Sequence, residues 1–112
     1  MNTKILGTKG EFLAKEFLKK KGYKIIEVNF SNQIGEIDII AKQGETIIFV
    51  EVKARSSFKF GLPSEAVGFA KQNKIRKVAL SYLKSTKSLD SSVRFDVIEV
   101  FGENVRHIEN AF

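Results

Sequence analysis

Apolar residues recur at helical spacing through residues 8–21, where Leu13, Phe17 and Leu18, with Phe12 and Ala14 beside them, form one stripe and Gly22 follows as a stop. This predicts a first helix. From Tyr23 the pattern turns to β-branched and aromatic residues, so strands are expected at 24–30, 34–42 and 46–55, with Gly44 in the turn that makes a hairpin of the last two. Gly61, Pro63 and Gly68 among polar residues make 56–68 a loop, with one helical turn expected around 64–67. A second helix is expected at 69–84, with Ile75, Val78, Ala79, Tyr82 and Leu83 on one face and Lys71, Lys74, Lys77 and Lys84 on another. Residues 93–101 alternate like a strand, 102–104 are turn-like, and 105–108 supply a last strand.

The predicted order is therefore αβββαββ. No repeat, low-complexity stretch or linker divides the 112 residues, a length that suits one core. The expectation is an α/β fold in which residues 1–112 form a single domain, a mixed central sheet flanked by helices.

Polar residues that interrupt the apolar strands are the candidates for chemistry. In the third strand Ile47, Phe49, Glu51, Lys53 and Arg55 share one face, and Ile48, Val50, Val52 and Ala54 the other. Such a strand is central and buried, and an acid and an amine at its end need partners or a metal. The second strand repeats the theme, with Glu36 and Asp38 on one face and Ile37 and Ile39 on the other. If the hairpin turns near residues 43–45, Asp38 falls opposite Val50 and Glu51, and both carboxylates converge. Oxygen ligands of this kind suit Mg²⁺ or Mn²⁺. Lys53 then has a place beside the nucleophile of a phosphodiester hydrolysis. The alternative is a buried salt-bridged network without catalysis, such as Glu51 with Lys53 or Arg55.

Glu11 lies at the edge of the first helix's apolar stripe, whereas Glu16 has Lys19 and Lys20 three and four residues on and reads as a solvated ion-pair residue. Two readings of Glu11 stay open: it reaches the metal site, or it only complements the helix dipole from the first turn.

Nineteen Lys and Arg against thirteen Asp and Glu give a formal charge of +6, which favours polyanionic partners, nucleic acid first; a basic surface that only keeps the protein soluble is the alternative. Arg55, Lys71, Lys74 and Lys77 are the expected phosphate contacts, with Lys19–Lys21 as a second patch. The absence of cysteine excludes disulfides and thiolate metal sites. No apolar run approaches the roughly 20 residues of a membrane helix, and the first ten residues do not resemble a signal peptide, so a cytoplasmic protein without membrane contact is expected. His107, the only histidine, falls at the end of an edge strand and is expected at the surface without a chemical role.

The runs Gly10-Glu11 with Ala14, Leu18 and Gly22-Tyr23, then Gly35-Glu36-Ile37-Asp38-Ile39-Ile40-Ala41, then Phe49-Val50-Glu51-Val52-Lys53-Ala54-Arg55 resemble the bacterial YraN family of predicted endonucleases. Phe60-Gly61 with Pro63, Lys71-Gln72, Ala79 with Tyr82-Leu83, Arg94-Phe95-Asp96-Val97 and the tail from His107 to Phe112 are similar to it too. The likeness covers nearly the whole chain, with its blocks in order.

That family resembles the PD-(D/E)XK nuclease superfamily, which includes Holliday-junction resolvases and many restriction enzymes. The resemblance implies a restriction-endonuclease-like fold and a Mg²⁺- or Mn²⁺-dependent endonuclease acting on DNA, branched or single-stranded forms included. It implies Asp38 as the motif aspartate, Glu51 and Lys53 as the Glu-x-Lys pair and Glu11 as the acid of helix one. Glu36 would be an accessory acid and Gln72 a polar residue facing the site from helix two. Ile37 stands where the superfamily pattern has proline, which removes no ligand. Resolvase-like enzymes pair two sites, so a homodimer is compatible, although nothing in the chain marks a dimer surface. The rival reading is a nucleic-acid-binding protein with a nuclease fold and little activity.

Overall fold

The computed structural model describes residues 3–55 and 67–112. Its elements follow the expected order: α1 (Thr3–Lys20), β1 (Lys24–Ser31), β2 (Glu36–Gln43), β3 (Thr46–Ala54), α2 (Phe69–Ser85), β4 (Ser92–Phe101) and β5 (Asn104–Ile108). The loop expected at 56–68 lies outside the described residues, except for Val67 and Gly68, where α2 begins. The helix start expected at residue 8 is corrected to Thr3. Gly7 and Gly10 weaken the helical pattern but do not break it, since a glycine costs only about 1 kcal/mol relative to alanine.

The end of α1 is set by Gly22. At φ 92° it adopts the left-handed conformation that side chains resist. Its N–H donates to Lys19 O at 2.9 Å, and Tyr23 N–H donates to Leu18 O at 3.0 Å. This paired closure leaves Tyr23 packed with Leu18 in one core cluster.

The five strands form one sheet in the order β1-β2-β3-β4-β5. All neighbours are antiparallel except β3 and β4, which run parallel and are joined through α2. Gly44, at φ 59°, opens the two-residue turn between Gln43 and Thr46 and fixes the hairpin register. The two helices cover opposite faces of the sheet. Ile40, Ile47, Phe49 and Val97 pack under Ile75, Val78, Ala79 and Tyr82 of α2. On the other face Ile39, Ala41, Ile48, Val50 and Ile98 pack under Ala14 and Leu18 of α1. This is why β3 is apolar on both faces. Each fully buried side chain such as Phe49 or Leu18 contributes about 1.5–3 kcal/mol.

Two expectations are corrected. Strict alternation puts Ile37 with Ile39, but Ile37 packs on the α2 face while Ile39 packs on the α1 face. The change of side falls where Asn29, at φ 57°, stands between the pairs Val28↔Ile39 and Phe30↔Ile37, so the regular pleat is broken there. The His107 side chain is enclosed rather than superficial, 2% exposed. Its register partner is Ile98, so it points to the α1 face, where the rings of Phe17 and Tyr23 meet it edge-on. Lys21 Nζ has only donors, so it donates to Nδ1 at 2.8 Å, and Nε2–H donates to Asp96 at 2.7 Å.

Candidate active site

Continuing the register Ile40↔Phe49 and Ile39↔Val50 by one step sets Asp38 opposite Glu51. There the Val52 N–H donates to Asp38 Oδ2 at 2.8 Å, so a side chain takes a main-chain donor at the end of the ladder. The Asp38 and Glu51 carboxyls lie within hydrogen-bonding reach of each other. Burial pushes the Asp38 carboxyl up, the Glu51 charge pushes it further, and the Val52 N–H only partly opposes them, leaving it at about 7. Glu51 itself is 5% exposed and meets two ammonium groups: Lys53 Nζ at 3.6 Å and Lys71 Nζ at 2.7 Å.

These groups open into a cleft of about 450 Å³ between the end of the β2–β3 hairpin and the first turns of α2. Glu36, Asp38, Glu51, Lys71 and Lys74 supply its polar wall, and Ile34 and Ile75 its apolar wall. Burial works against the Lys71 ammonium, yet its hydrogen bond to Glu51 and the charges of Glu51, Asp38 and Glu36 raise its pKa above the ordinary lysine value.

Glu11 approaches from α1. With the helix starting at Thr3, no acid stands in the first turn, so the dipole reading of Glu11 loses its basis. Burial raises the Glu11 pKa, a hydrogen bond from the Asn29 side chain opposes this, and the charges of Glu36 and Glu51 raise it again. Glu11 is thus electrostatically part of the acidic group. Asn29 does not stand out in the sequence, yet its side chain meets Glu11 from a left-handed backbone position between the pairs Val28↔Ile39 and Phe30↔Ile37, which flank Asp38.

Other polar residues singled out in the sequence have partners outside the carboxylate pair or lie beyond the cleft lining. Gln72 turns back to the start of its own helix, its Nε2 donating to Val67 O at 2.8 Å. Arg55 pairs with Glu99 at 3.2 Å, and Arg106 also binds Glu99, so Arg55 belongs to a buried-acid network on β4 and β5. Lys77 is exposed on α2 beyond the residues that line the cleft. Glu16 pairs with Lys19 at 3.5 Å, as expected of a solvated pair.

Asp96 and Glu99 are two further buried acids that sequence reasoning missed. The signal was present, since both interrupt the apolar strand β4 as Glu51 interrupts β3. Asp96 binds Arg94 through both oxygens at 2.9 Å, His107 at 2.7 Å and the Asn110 N–H at 3.0 Å. Although burial opposes it, these donors, His107 and Arg94 foremost, hold its carboxyl below the usual carboxylate range. Arg94 also donates to Tyr23 Oη at 2.7 Å. Asp96 is therefore saturated with protein partners, whereas Asp38 is pressed against another acid.

Among the described residues no three Asp, Glu, His or Cys side chains gather into a closed metal cage. The donor set offered is Asp38 and Glu51, two hard oxygen ligands beside an open cleft. Mg²⁺ is commonly held by one or two carboxylates and completes its shell with water and substrate phosphate. The fit is supported by electrostatics, because a divalent cation relieves the repulsion that drives the Asp38 carboxyl to about 7.

The chain shares 51% identity with a UPF0102 protein of Caldanaerobacter subterraneus subsp. tengcongensis, over all of this chain and 98% of the relative. It shares 51% with one of Thermodesulfovibrio yellowstonii, over 96% and 95% of the two chains, and 50% with one of Clostridioides difficile, over the full length of both. The family profile described as "Uncharacterised protein family UPF0102" matches residues 10–100, a span that holds every residue of the cleft. The chain therefore belongs to the UPF0102 family, the YraN-like family that its ordered sequence blocks resemble.

Proposed function

We propose that the protein is a metal-dependent endonuclease that hydrolyses phosphodiester bonds of DNA, with branched and single-stranded forms as the first candidates, and that it belongs to the PD-(D/E)XK superfamily. The observation that carries this reading is the opposition of Asp38 and Glu51 on adjacent strands, with their carboxyls in mutual reach in a cleft that lysines line. An acid pair forced together costs stability, which a purely structural cleft has no reason to retain.

Asp38 and Glu51 would hold Mg²⁺ or Mn²⁺, with Glu11 and Glu36 adding negative potential around them. When bound, the cation supplies Lewis acidity to a phosphoryl oxygen and lowers the pKa of a coordinated water. Hydrolysis joins the oxygen of a water to phosphorus as that water gives a proton to solvent, and breaks the bond from phosphorus to one sugar oxygen, which takes a proton from solvent and leaves as a hydroxyl. Lys53, 3.6 Å from Glu51 and half-buried, would offset with its ammonium the charge that develops on the phosphoryl oxygens. Lys74 extends positive charge along the cleft for the flanking backbone.

One observation favours a second reading. Glu51 already has two ammonium partners, so its charge is balanced without any metal, as in a nucleic-acid-binding protein that keeps the fold without the activity. One experiment separates the two. Labelled linear, flapped, single-stranded and four-way DNA are incubated with the protein in Mg²⁺, Mn²⁺ or EDTA. Cleavage of any member, lost in EDTA, supports the nuclease; retarded mobility with no cleavage of any member supports the binding protein.

A further inference from the structure

The two ammonium partners of Glu51 are held differently. Lys53 stands two positions along the same strand, and its side chain is the more enclosed of the two, 27% exposed. Lys71 crosses the cleft from α2, makes the shorter contact of 2.7 Å, and has its side chain 50% exposed. A change of rotamer in its four-carbon stem releases it into the cleft without moving the backbone. The more exposed partner, reaching in from another element, is thus the one free to swing into the cleft.

We infer that Lys71 is the resident counter-ion of the carboxylate pair: it neutralises Glu51 while the cleft is free of metal, and a divalent cation at Asp38 and Glu51 displaces it toward the phosphate of a bound nucleic acid. The inference rests on the nuclease reading and adds to it a residue that couples metal binding to substrate binding. An ammonium 2.7 Å from a Glu51 oxygen and a cation on that carboxylate repel each other, so they compete for it. Once displaced, Lys71 remains beside Lys74, which lines the same cleft one turn further along α2. A phosphate that draws Lys71 away from Glu51 also favours the metal, because such coupling is reciprocal.

The test is Mn²⁺ binding to the full chain without nucleic acid, followed by calorimetry and by the paramagnetic signal of free Mn²⁺. Lys71→Met and Lys71→Gln, which remove the charge and keep the bulk, should each tighten Mn²⁺ binding by about 5-fold or more, the lower end of typical site couplings. Lys71→Arg should bind like the wild type. Lys74→Met, which removes a charge from the same cleft, should shift the affinity less than Lys71→Met. Adding a short duplex should tighten Mn²⁺ binding to the wild type more than to Lys71→Met. Equal Mn²⁺ affinity for the wild type and both neutral variants overturns the role of Lys71 while leaving the metal site standing. Absence of Mn²⁺ binding in all of them, with circular dichroism unchanged, overturns the metal site and the role of Lys71 together.

Discussion

Asp38 Oδ2 accepts a 2.8 Å hydrogen bond from the Val52 N–H, while the same carboxyl lies against Glu51. One donor is not enough to offset burial and a neighbouring acid, so the folded state favours protonated Asp38, raised from 3.8 to about 7. A raised carboxyl contributes stability that is complete below its unfolded value and is lost as pH rises through its folded value, here between 3.8 and about 7. Asp38→Asn keeps an acceptor for Val52 and removes the charge. In EDTA at pH 8 it should therefore melt higher than the wild type by about 5 °C, the shift that roughly 1 kcal/mol gives a domain of this size, and the gap should close toward pH 4. Melting curves that run parallel across this range would sink the account. Mg²⁺ should raise the melting temperature of the wild type more at pH 8 than at pH 5.5, because the proton and the cation compete for Asp38.

Removing either ligand should separate cleavage from binding. Asp38→Ala and Glu51→Ala should abolish cleavage while DNA affinity in EDTA stays equal or rises, since these acids repel phosphate and Glu51 also holds Lys71. Lys53→Ala should keep Mn²⁺ binding and slow cleavage on the order of 100-fold, the usual loss for one transition-state donor. Circular dichroism and melting must accompany these assays, because one half of a buried pair can cost roughly 3–5 kcal/mol when the other is removed. A well-folded Glu51→Ala variant that cuts as fast as an active wild type would rule out the site.

The lysines of α2 should not contribute alike to DNA binding. Lys74 and Lys77 carry no role in the carboxylate pair, so replacing either by Ala should lower the slope of log K against log salt by up to about 0.9 for each duplex phosphate no longer neutralised, in EDTA and in Ca²⁺ alike. Lys71 is paired with Glu51 at 2.7 Å, so its replacement should change the slope only when a divalent cation is present. A Lys71→Ala effect of the same size in EDTA would show that its ammonium is already free for phosphate.

The parts of this fold that are legible in the sequence are those set by local periodicity. An acid at the end of a strand that is apolar on both faces marks Glu51, and counting back across the Gly44 turn brings Asp38 to it. What periodicity does not encode is which element arrives from far along the chain. A lysine at position 71 looks the same in sequence whether it faces water or reaches a carboxylate on β3. Gln72, its neighbour, looks equally suited to the site, and its Nε2 donates to Val67 O just before α2. Asn29 escapes notice because a left-handed residue inside a strand is imposed by its surroundings. His107 is misplaced when an edge strand is equated with exposure, whereas the Lys21 and Tyr23 side chains that follow α1 lie over it.

Asp96 contrasts with the half-buried Asp38. Asp96 is fully buried but surrounded by donors, namely both contacts from Arg94, His107 Nε2 and the Asn110 N–H. Its removal leaves Arg94 and His107 without their shared acceptor beneath α1, so Asp96→Ala should destabilise by roughly 3–5 kcal/mol, measured by urea denaturation. Its carboxyl is lowered, so the stability it contributes is present above the unfolded value near 3.8 and is lost as pH falls below that toward its folded value. Acid unfolding of the wild type should therefore steepen below about pH 4, and Asp96→Asn should flatten that limb while leaving the limb above pH 5 to Asp38. Mn²⁺ affinity of folded Asp96→Asn should equal that of the wild type, because Asp96 is aligned with Val50 on the α1 face and Glu51 lies on the α2 face. A weakened Mn²⁺ site in a folded Asp96→Asn protein would mean that the two acidic groups are coupled through β3 rather than separated by the sheet.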